Sequence, residues 1–479
     1  MKKTLFLFLF GMLCAEVTHA QSGETGSIIW LFNQHGVLYL SAGDADNIPS
    51  SFLNYAAFDS FRNDIQSVVI DDGITGIGQS AFVSYYLTSV SIPASVTEIH
   101  KGAFSFCRGL TSISVEPTNM IYSSEDDALF DKEMTTLIVF PAGKTGSYTI
   151  PESVEIIDDH AFQSSRLTSL VIPASVTTIG GWAFYGSYIT SLNISSSIIS
   201  IGAYAFLFCY DLLSISVDAD NPFYSSEEGV LFNKDRTTLI TFPAGIAGSY
   251  TIPESVKTIG KYAFWYSFKM TSVTIPPTVT TIGELAFNYC VRLTSIIIPA
   301  SVTTIDENAF LECTGLETVI ISASVANIGN TIFSRCTSLS EVINLSPVPQ
   351  VIASNTFVSS IFSTCTLRVP AGSVDDYMDA EAWKEFANIV PLDIEITADK
   401  DGIFLLTHAT TALTATVSGD LTTPEIVEWE SGNTDVATVN HTGTVTAVGT
   451  GTTVITASIG SIKALCAVTV IEPGKASIE

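Results

Sequence analysis

Residues 87–104 read LTSVSIPASVTEIHKGAF, and the same phrase returns as LTSLVIPASVTTIGGWAF at residues 167–184 and as LTSIIIPASVTTIDENAF at residues 293–310. The apolar letters are kept from copy to copy, while most of the polar letters between them change. Apolar positions that recur at a fixed spacing are typical of a repeat protein, in which each copy is one structural turn. The fold therefore depends on what one copy can bury.

The repeat has a period of 22 or 23 residues, and two longer gaps hold insertions near residues 116–148 and 218–250. The opening apolar residue of each copy is Ile65, Leu87, Leu110, Leu167, Ile189, Leu212, Met270, Leu293, Leu316 or Leu339. The two insertions align with each other, and each ends in YTIPESV, a variant of the repeat. Each is predicted to contain a hairpin and one further turn, for roughly 12–13 turns in all.

Each copy predicts two strands and a helical turn. Residues 87–92 alternate apolar and small polar side chains, as a strand with one buried face does. Pro93 cannot continue a hydrogen-bonded ladder, and residues 96–99 form a second short strand. The closing Ala-Phe pair is placed on a helical turn. One turn cannot bury its own apolar residues, but stacked turns can, so the predicted fold is an α/β repeat solenoid.

In eight copies, the position three residues after the closing Phe carries either Cys or Ser. It is occupied by Cys107, Ser165, Ser187, Cys209, Ser267, Cys290, Cys313 and Cys336. A place shared by Cys and Ser predicts a small, buried slot. Because Cys290, Cys313 and Cys336 fall on successive turns, a disulfide between two of them stays open as an alternative.

The first residues predict export. Residues 1–20 read MKKTLFLFLFGMLCAEVTHA, a basic start, a short apolar run and a small-residue end, which is typical of a secretory signal peptide cleaved after Ala20. Lipidation at Cys14 is an alternative. No later apolar run is long enough to span a membrane, so the mature chain is expected to be secreted or at the cell surface.

The chain outside the repeats is predicted to form caps and a second domain. Residues 21–64 are expected to cap the start of a solenoid that spans residues 65–392 and ends in its own C-terminal cap. Residues 393–472 are rich in Thr and Val with turn glycines, which predicts a small all-β sandwich. Residues 473–479 are a tail.

The charge limits the class of partner. The chain has 20 basic and 48 acidic residues, a formal net charge of −28. Such a surface repels nucleic acid and anionic lipid, so neither is expected as a partner.

The unit LxxIxIPxxVxxIGxxAFxxC resembles the leucine-rich repeat of BspA-type bacterial surface proteins. The C-terminal stretch resembles bacterial Ig-like domains of the intimin and invasin type. The residues that carry this second resemblance are Trp429, Ser431, Asn433, Val436, Ala437, Gly443, Val445, Thr446, Ala447 and Gly451. The two resemblances imply a secreted or cell-surface protein, with partners on host or microbial surfaces and no catalytic residue.

Motifs that carry chemistry are absent from the sequence. It contains no G-x-S-x-G, H-E-x-x-H, C-x-x-C or P-loop pattern, and it implies no cofactor. The scattered histidines are expected to be exposed, and the paired carboxylates, such as Asp158-Asp159, to be solvated turns. The motif DADN occurs at Asp44 and Asp218, where an Asx turn and a loop calcium site are alternatives; no metal site is predicted.

The exposed face of the first strand is the predicted ligand-binding surface. The residue between the two core apolar positions of that strand is Ser91, Ser114, Val171, Asn193, Ser216, Thr274, Ile297, Ile320 or Ile343. The isoleucines at the end of this column predict an apolar stripe. Such a stripe marks a contact surface or packing against the C-terminal domain, or it reflects only the β-propensity of isoleucine.

The sequence is compatible with three functions. The leading hypothesis is a non-enzymatic adhesion protein that binds host matrix, mucin, glycan or another cell through the solenoid. The second is an enzyme that acts on polysaccharide, against which the Ala-Phe turn argues, because all-β helices of that kind lack it. The third is a self-associating structural protein of the surface.

Overall fold

The computed structural model of the protein describes residues 20–421, 427–460 and 462–472. The chain forms a β-solenoid of about 14 turns, slightly more than predicted, followed by a β-rich C-terminal region consistent with an Ig-like domain. It divides into two compact units: Met1–Asp235 with Thr241–Ile246, and Arg236–Ile240 with Ala247–Glu479. The proposed signal peptide and the tail lie outside the described residues, apart from Ala20 itself. None of the described helices is long and apolar enough to cross a bilayer.

In the first unit, the alternating stretch of each copy forms the expected strand. Ser89–Ile92 pairs in parallel with the strands of the preceding and the following turn, and its Val90 and Ile92 are buried. The strands of this row in the first unit are Val37–Ala42, Ser67–Ile70, Ser89–Ile92, Ser112–Val115, Thr145–Thr149, Arg166–Val171, Ser191–Ile194 and Ser214–Val217. Because the same side of every strand is apolar, each turn covers the core of the next.

A second row of two-residue strands follows the proline stops. Its members in the first unit are Asn47–Ile48, Gly76–Ile77, Glu98–Ile99, Ile156–Ile157, Thr178–Ile179 and Ser200–Ile201. The threonines beside this row hold the turns together: Thr97 Oγ1 donates to the carbonyl oxygen of Thr75 (3.3 Å), and Thr177 Oγ1 to that of Glu155 (3.3 Å).

The first insertion contains a hairpin and a turn. Tyr122–Glu125 and Ala128–Asp131 pair antiparallel, Thr136–Val139 joins the second row beside Ile156–Ile157, and Thr145–Thr149 joins the first row beside Arg166–Val171. The corresponding hairpin of the second insertion, Tyr224–Glu227 with Val230–Asn233, has the same register.

The solenoid ladder of the first unit begins within residues 21–64. Gln21–Thr25 and Ile28–Phe32 form an antiparallel edge, and Val37–Ala42 then pairs in parallel with Ser67–Ile70. Trp30 is buried at this end, with its ring 5.3 Å from that of Phe58. The connection contains the 3-10 helices Phe52–Asn54, Ala56–Phe58 and Arg62–Asp64.

The second unit also contains strands of both kinds. Its first row is Gly248–Thr251, Met270–Thr274, Ser295–Ile298, Thr318–Ile321, Glu341–Asn344, Thr366–Pro370 and Asn388–Leu392. Its second row is Thr238–Thr241, Thr258–Ile259, Thr281–Ile282, Thr304–Ile305 and Asn327–Ile328.

The C-terminal end of the solenoid is closed by aromatic side chains. Trp383 and Phe386 lie 5.7 Å and 5.3 Å from the ring of Phe357, and Tyr377 is fully buried beside Trp383. The helical elements here are α1, Val374–Asp379, and the 3-10 helices Ser359–Ile361, Ala371–Ser373 and Trp383–Glu385. Ser373, which precedes α1, makes no side-chain cap to this helix; its hydroxyl donates to the carbonyl oxygen of Pro347 (2.7 Å).

The predicted α/β class is wrong, because the Ala-Phe segments are not helices. Helix content is only 5%. The amide of Phe162 donates to the carbonyl oxygen of Ala183 on the following turn (2.7 Å), so the hydrogen bond of a helix is replaced by one between turns. The phenylalanine rings then stack, as Phe162 does on Phe184 with 5.2 Å between centroids and 7° between planes.

The C-terminal region forms sheets of short strands. They are Ile394–Ala398, Gly402–Leu406, Thr410–Ala412, Ala415–Gly419, Glu428–Ser431, Ala437–Val439, Thr444–Ala447, Gly451–Ile459 and Ile462–Ile471. Val445, Ile455 and Val468 are buried between the sheets, and Trp429 packs at the edge of this core. The alternation of buried and exposed residues along Gly451–Ile459 is that of a sandwich strand.

Candidate functional site

In the first unit the side chains of the predicted ligand-binding column are exposed or half-buried. Ser114, Val171, Asn193 and Ser216 are exposed, and Ser91 is half-buried. The hydroxyl of Ser216 donates to Asn193 Oδ1 of the neighbouring turn (2.9 Å). In the second unit Thr274, at the same repeat position, is also exposed.

The expectation of exposure is wrong for the apolar end of the column. Ile320 is 5% exposed and Ile343 is 1% exposed, while Ile297 is half-buried. The three isoleucines belong to one apolar cluster with residues of the Ig-like domain. Its members from that domain are Ile394, Ile396, Ala415, Val417, Leu421, Val427, Trp429, Ala457, Ile459, Ile462 and Ala464. The stripe is therefore an interior contact of the second unit.

A polar contact flanks this apolar cluster. Arg368 on the solenoid pairs with Asp420 of the Ig-like domain (3.1 Å) and with Glu341 of the adjacent strand (2.8 Å). Asp420 also accepts a hydrogen bond from the amide of Asp393 (2.8 Å). Together the apolar cluster and the ion pairs hold the domain against the strand face.

An aromatic surface of the first unit was missed by the sequence analysis. Trp182 lies at its centre, with ring centroids 5.0 Å from His160, 5.5 Å from Tyr204 and 6.2 Å from Tyr185. Tyr185 makes edge-to-face contacts with Phe106 (6.0 Å) and Phe208 (4.9 Å). The aromatic face is defined here as Phe106, His160, Trp182, Tyr185, Tyr204, Phe208 and Tyr210. Trp182 and Tyr210 are about 40% exposed.

The repeat places these rings side by side. His160, Trp182 and Tyr204 each stand two residues before the stacked Phe of their turn, at the position that Gly102 occupies one copy earlier. All four have positive φ, 63°, 56°, 61° and 70° respectively. A left-handed backbone costs a non-glycine residue about 1–2 kcal/mol, so glycine would be the less strained choice. Aligning the copies by this position, rather than by their core residues, would have revealed the aromatic row.

The carboxylate pair beside the aromatic face is held in place by other groups. Lys101 Nζ lies 2.8 Å from Asp159 and 3.6 Å from Asp158, and the amide of Gly181 donates to Asp159 Oδ1 (2.7 Å). Burial opposes ionisation of Asp159, but the hydrogen bonds from Lys101 and Gly181 outweigh it, so its pKa is lowered. This doublet is thus a structural ion pair, and not the freely solvated turn that the sequence suggested.

His160 is not the exposed histidine that was expected. It is half-buried against Trp182, and its Nδ1 lies 3.0 Å from Gln163 Oε1. Burial lowers its pKa, although Gln163 and the two aspartates act in the opposite direction. The ring is therefore predominantly neutral at neutral pH.

The cysteine slot is buried, as predicted, and its thiols are free. Cys107 Sγ donates to the carbonyl oxygen of Phe82 (2.8 Å), and Cys290 Sγ to that of Phe264 (3.2 Å). Cys290, Cys313 and Cys336 are not joined by a disulfide. Over residues 20–421, 427–460 and 462–472, no group of three or more His, Cys, Asp or Glu is placed to hold a metal ion. At the second DADN motif, Asp218 Oδ1 accepts the amide of Asp220 (3.0 Å) in an Asx turn.

The exposed ends of the insertions carry apolar side chains. Met120 is 77% exposed and Ile121 is 43% exposed in the first insertion, and Phe223, which aligns with Ile121, is 50% exposed in the second. The adjacent Asn119 and Asn221 are fully buried and anchor the two hairpins. The insertions therefore present side chains from fixed backbone positions.

Two protein families match the chain. The family described as BspA type leucine rich repeat region, with six copies, matches residues 47–145, 138–248 and 246–368. The bacterial Ig-like domain, group 2, matches residues 395–470. No curated protein sequence is significantly similar to the chain.

Solved structures of bacterial leucine-rich-repeat proteins are similar as well. The pneumococcal vaccine antigen PcpA is 19% identical over 78% of this chain and 99% of its own, with a TM-score of 0.50, which indicates a shared fold. A leucine rich cell surface protein of Faecalibacterium prausnitzii is 25% identical over 68% of this chain and 94% of its own, with a TM-score of 0.44. A leucine-rich repeat protein of Eubacterium ventriosum is 23% identical over 78% of this chain and 85% of its own, with a TM-score of 0.42.

Proposed function

Because the chain belongs to the BspA-type leucine-rich-repeat family and ends in a bacterial Ig-like domain, we propose that it is a non-enzymatic adhesion protein of the cell surface. It binds a protein or glycan of a host or microbial surface through its solenoid. The family is a repeat family of the non-enzymatic kind.

The observation that carries this proposal is the exposure of large aromatic side chains on a stacked scaffold. Trp182, Tyr188 and Tyr210 are each about 40% exposed, within a first unit whose core residues are almost entirely buried. Tryptophan and tyrosine are the residues that most often dominate binding energy at interfaces. A rigid scaffold also lowers the entropy lost on binding, because the rings need not be ordered first.

Two surfaces of the first unit remain available to a partner. One is the open strand column of Ser114, Val171, Asn193 and Ser216, and the other is the aromatic face. In the second unit the corresponding part of the column is covered at Ile320 and Ile343. We therefore propose that the adhesion site lies in the first unit.

A direct binding experiment tests the proposal. The purified full-length protein is applied to arrays of matrix proteins, mucins and glycans at physiological salt, and saturable binding to at least one component is expected. Absence of binding to every component would remove the support for adhesion.

Self-association is a second candidate, and one observation favours it. The Ig-like domain exposes Phe404 (79%), Leu465 (58%) and Val454 (41%) on neighbouring strands of one sheet. Exposed apolar patches of this kind often mark contacts between proteins. Sedimentation velocity over a hundredfold range of concentration distinguishes a self-associating protein from a monomeric binder, since only the former changes its sedimentation coefficient.

A further inference from the structure

We infer that the aromatic face of the first unit binds an extended, neutral glycan, which lies along the row His160, Trp182 and Tyr204. The inference rests on the proposed adhesion function and names its ligand class. It also assigns the contact to the outer segments of the turns rather than to the strand column.

The spacing of the row matches a polymer of sugars. The ring centroids of His160 and Trp182 are 5.0 Å apart, and those of Trp182 and Tyr204 are 5.5 Å apart. This follows from the stacking of turns at about 5 Å, the distance between paired strands. One hexose of an extended β-linked chain advances by a similar length, so successive sugars meet successive rings. The C–H faces of pyranose rings pack on aromatic rings, while their hydroxyl groups need polar partners.

Polar atoms of the kind that a sugar requires lie next to the rings. The Nδ1 of His160 is engaged by Gln163 Oε1. Because burial keeps the ring neutral, a proton on Nδ1 leaves Nε2 as an acceptor for a hydroxyl group. The carboxylate of Asp158, on the residue before Asp159, is a second acceptor beside the same turn.

An orphan hydroxyl lies beneath the same face. Ser164 Oγ is buried and has no hydrogen-bond partner within the described residues. It lies 3.7 Å from the place where a Cβ of Gly186 would stand. Phe106, Ser164, Gly186 and Phe208 each stand two residues after the stacked Phe of their copy. At this repeat position the small residues Ser164 and Gly186 lie between the two phenylalanines. An unpaired buried hydroxyl destabilises the folded protein, and a ligand hydroxyl that pairs with it would offset this loss.

The charge around the face selects a neutral ligand. Asp158 and Asp159 flank the row, and their only close cation, among the described residues, is Lys101. The whole chain carries a net charge of −28. Sialylated or sulfated glycans, acidic peptides and nucleic acids would be repelled by this surface. A neutral oligosaccharide avoids that repulsion and still uses the carboxylates as hydrogen-bond acceptors.

The repeat itself supplies matched variants. Leu285 and Asn308 occupy the Trp182 position on later turns, with φ of 56° and 59°. Trp182→Leu and Tyr204→Asn therefore introduce residues that this backbone accepts elsewhere in the same protein. The control is Ile199→Thr, which removes an exposed apolar side chain from the second-strand row, where Thr177 stands one copy earlier.

The test measures binding of the full-length protein to neutral gluco-, manno-, xylo- and chito-oligosaccharides of two to six units by calorimetry, with sialylated and sulfated glycans in parallel. Affinity for one neutral series is expected to rise with length up to at least three units. Trp182→Leu is expected to raise Kd by at least about tenfold, with Trp182→Phe intermediate and Ile199→Thr unchanged.

Each other result counts against the inference in a distinct way. Saturable binding only to proteins, or only to anionic glycans, would overturn the glycan assignment and leave the adhesion function standing. Neutral glycan binding that Trp182→Leu does not weaken would place the site elsewhere. Absence of binding to any surface component would overturn both proposals. Unchanged near-ultraviolet circular dichroism outside the tryptophan bands excludes misfolding as the cause of a loss.

Discussion

The amide of Phe162 donates its hydrogen bond to the carbonyl oxygen of Ala183, twenty-one residues later, at 2.7 Å. The same relation joins Phe184 to Ala205 (2.8 Å). Because these bonds run between turns, the stacked phenylalanines are held by their neighbours and not by a helix of their own. The stability of one turn therefore depends on the turns beside it.

The first prediction concerns this phenylalanine stack. Phe184 is fully buried between Phe162 (5.2 Å) and Phe206 (5.8 Å). Phe184→Ala is expected to lower the free energy of unfolding by about 3–5 kcal/mol, because it removes the ring and leaves a cavity. Urea unfolding measures the change. The exposed Val171→Ala is the control and should change stability by about 0.5 kcal/mol or less. A loss below about 1 kcal/mol for Phe184→Ala would contradict a shared core.

The second prediction concerns the anchor of the first hairpin. The side chain of Asn119 is fully buried, donates to the carbonyl oxygens of Pro93 (2.8 Å) and Val96 (2.9 Å), and accepts the amide of Tyr122 (2.8 Å). Asn119→Ala leaves these groups unpaired, at about 1–3 kcal/mol for each buried group. Faster hydrogen exchange is expected at Tyr122–Glu125.

The twin hairpin provides the comparison for this change. Asn221→Ala is expected to act in the same way on Tyr224–Glu227, because Asn221 makes the corresponding bonds to Ser195 and Ile198. Thr118→Ala, at an exposed neighbouring position, is the control. Equal exchange rates in Asn119→Ala and the unmodified protein would show that the hairpin does not depend on this side chain.

The third prediction concerns the contact between the strand column and the Ig-like domain. Ile343→Ala is expected to cost about 2–5 kcal/mol and to increase hydrogen exchange at Ala457 and Ile459, because all three belong to one buried cluster. Thr274→Ala changes the same repeat position where it is exposed, and it should leave both measurements unchanged. Identical hydrogen-exchange rates of the Ig-like domain in Ile343→Ala and Thr274→Ala would show that this contact does not hold the domain.

The fourth prediction concerns acid stability. The hydrogen bond from Lys144 lowers the pKa of Asp127 below its ordinary value of 3.8, and the hydrogen bond from Ser112 makes a smaller contribution in the same direction. A carboxyl with a lowered folded pKa contributes stability above its unfolded pKa, and this contribution is lost as pH falls through the folded pKa. Lys144→Met is expected to return the pKa of Asp127 towards 3.8, as measured by carbon NMR titration. Lys132→Met, in the same insertion, should leave the pKa of Asp127 unchanged.

The fifth prediction concerns the buried thiols. Burial raises the pKa of Cys107 and of Cys209 to about 12, and only the thiolate reacts with alkylating reagents. Both are expected to resist iodoacetamide at pH 8 in the folded protein and to react fully in urea, as followed by mass spectrometry. Rapid alkylation of either in the folded state would show that its slot opens.

The local physics of one copy was enough to predict the solenoid. The spacing of Leu87, Ile92 and Phe104 recurs along the chain, and one turn has no other means of burying these side chains than a second turn. The Cys or Ser slot followed from the same argument, since only a small side chain recurs there. The number of turns was underestimated, because Val37–Ala42 continues the ladder without the repeat's sequence.

The candidate site could not be predicted in the same way. His160, Trp182 and Tyr204 follow one another at intervals of 22 residues, and only stacking brings the ring of Trp182 within 5.5 Å of the other two. Singly, each is an ordinary surface residue of its own copy. Their shared position becomes visible only when the outer segment of each turn is aligned.

The sequence by itself thus determined which side chains form the core of each turn, because burial of apolar residues at a fixed spacing is a local property that every copy repeats. Only the tertiary structure decided the rest. It showed that the Ala-Phe segments bond to the next turn instead of forming helices. It also showed that Ile320 and Ile343 lie beneath the Ig-like domain rather than on the surface. Such contacts join residues distant in the chain, and a repeat period carries no information about them.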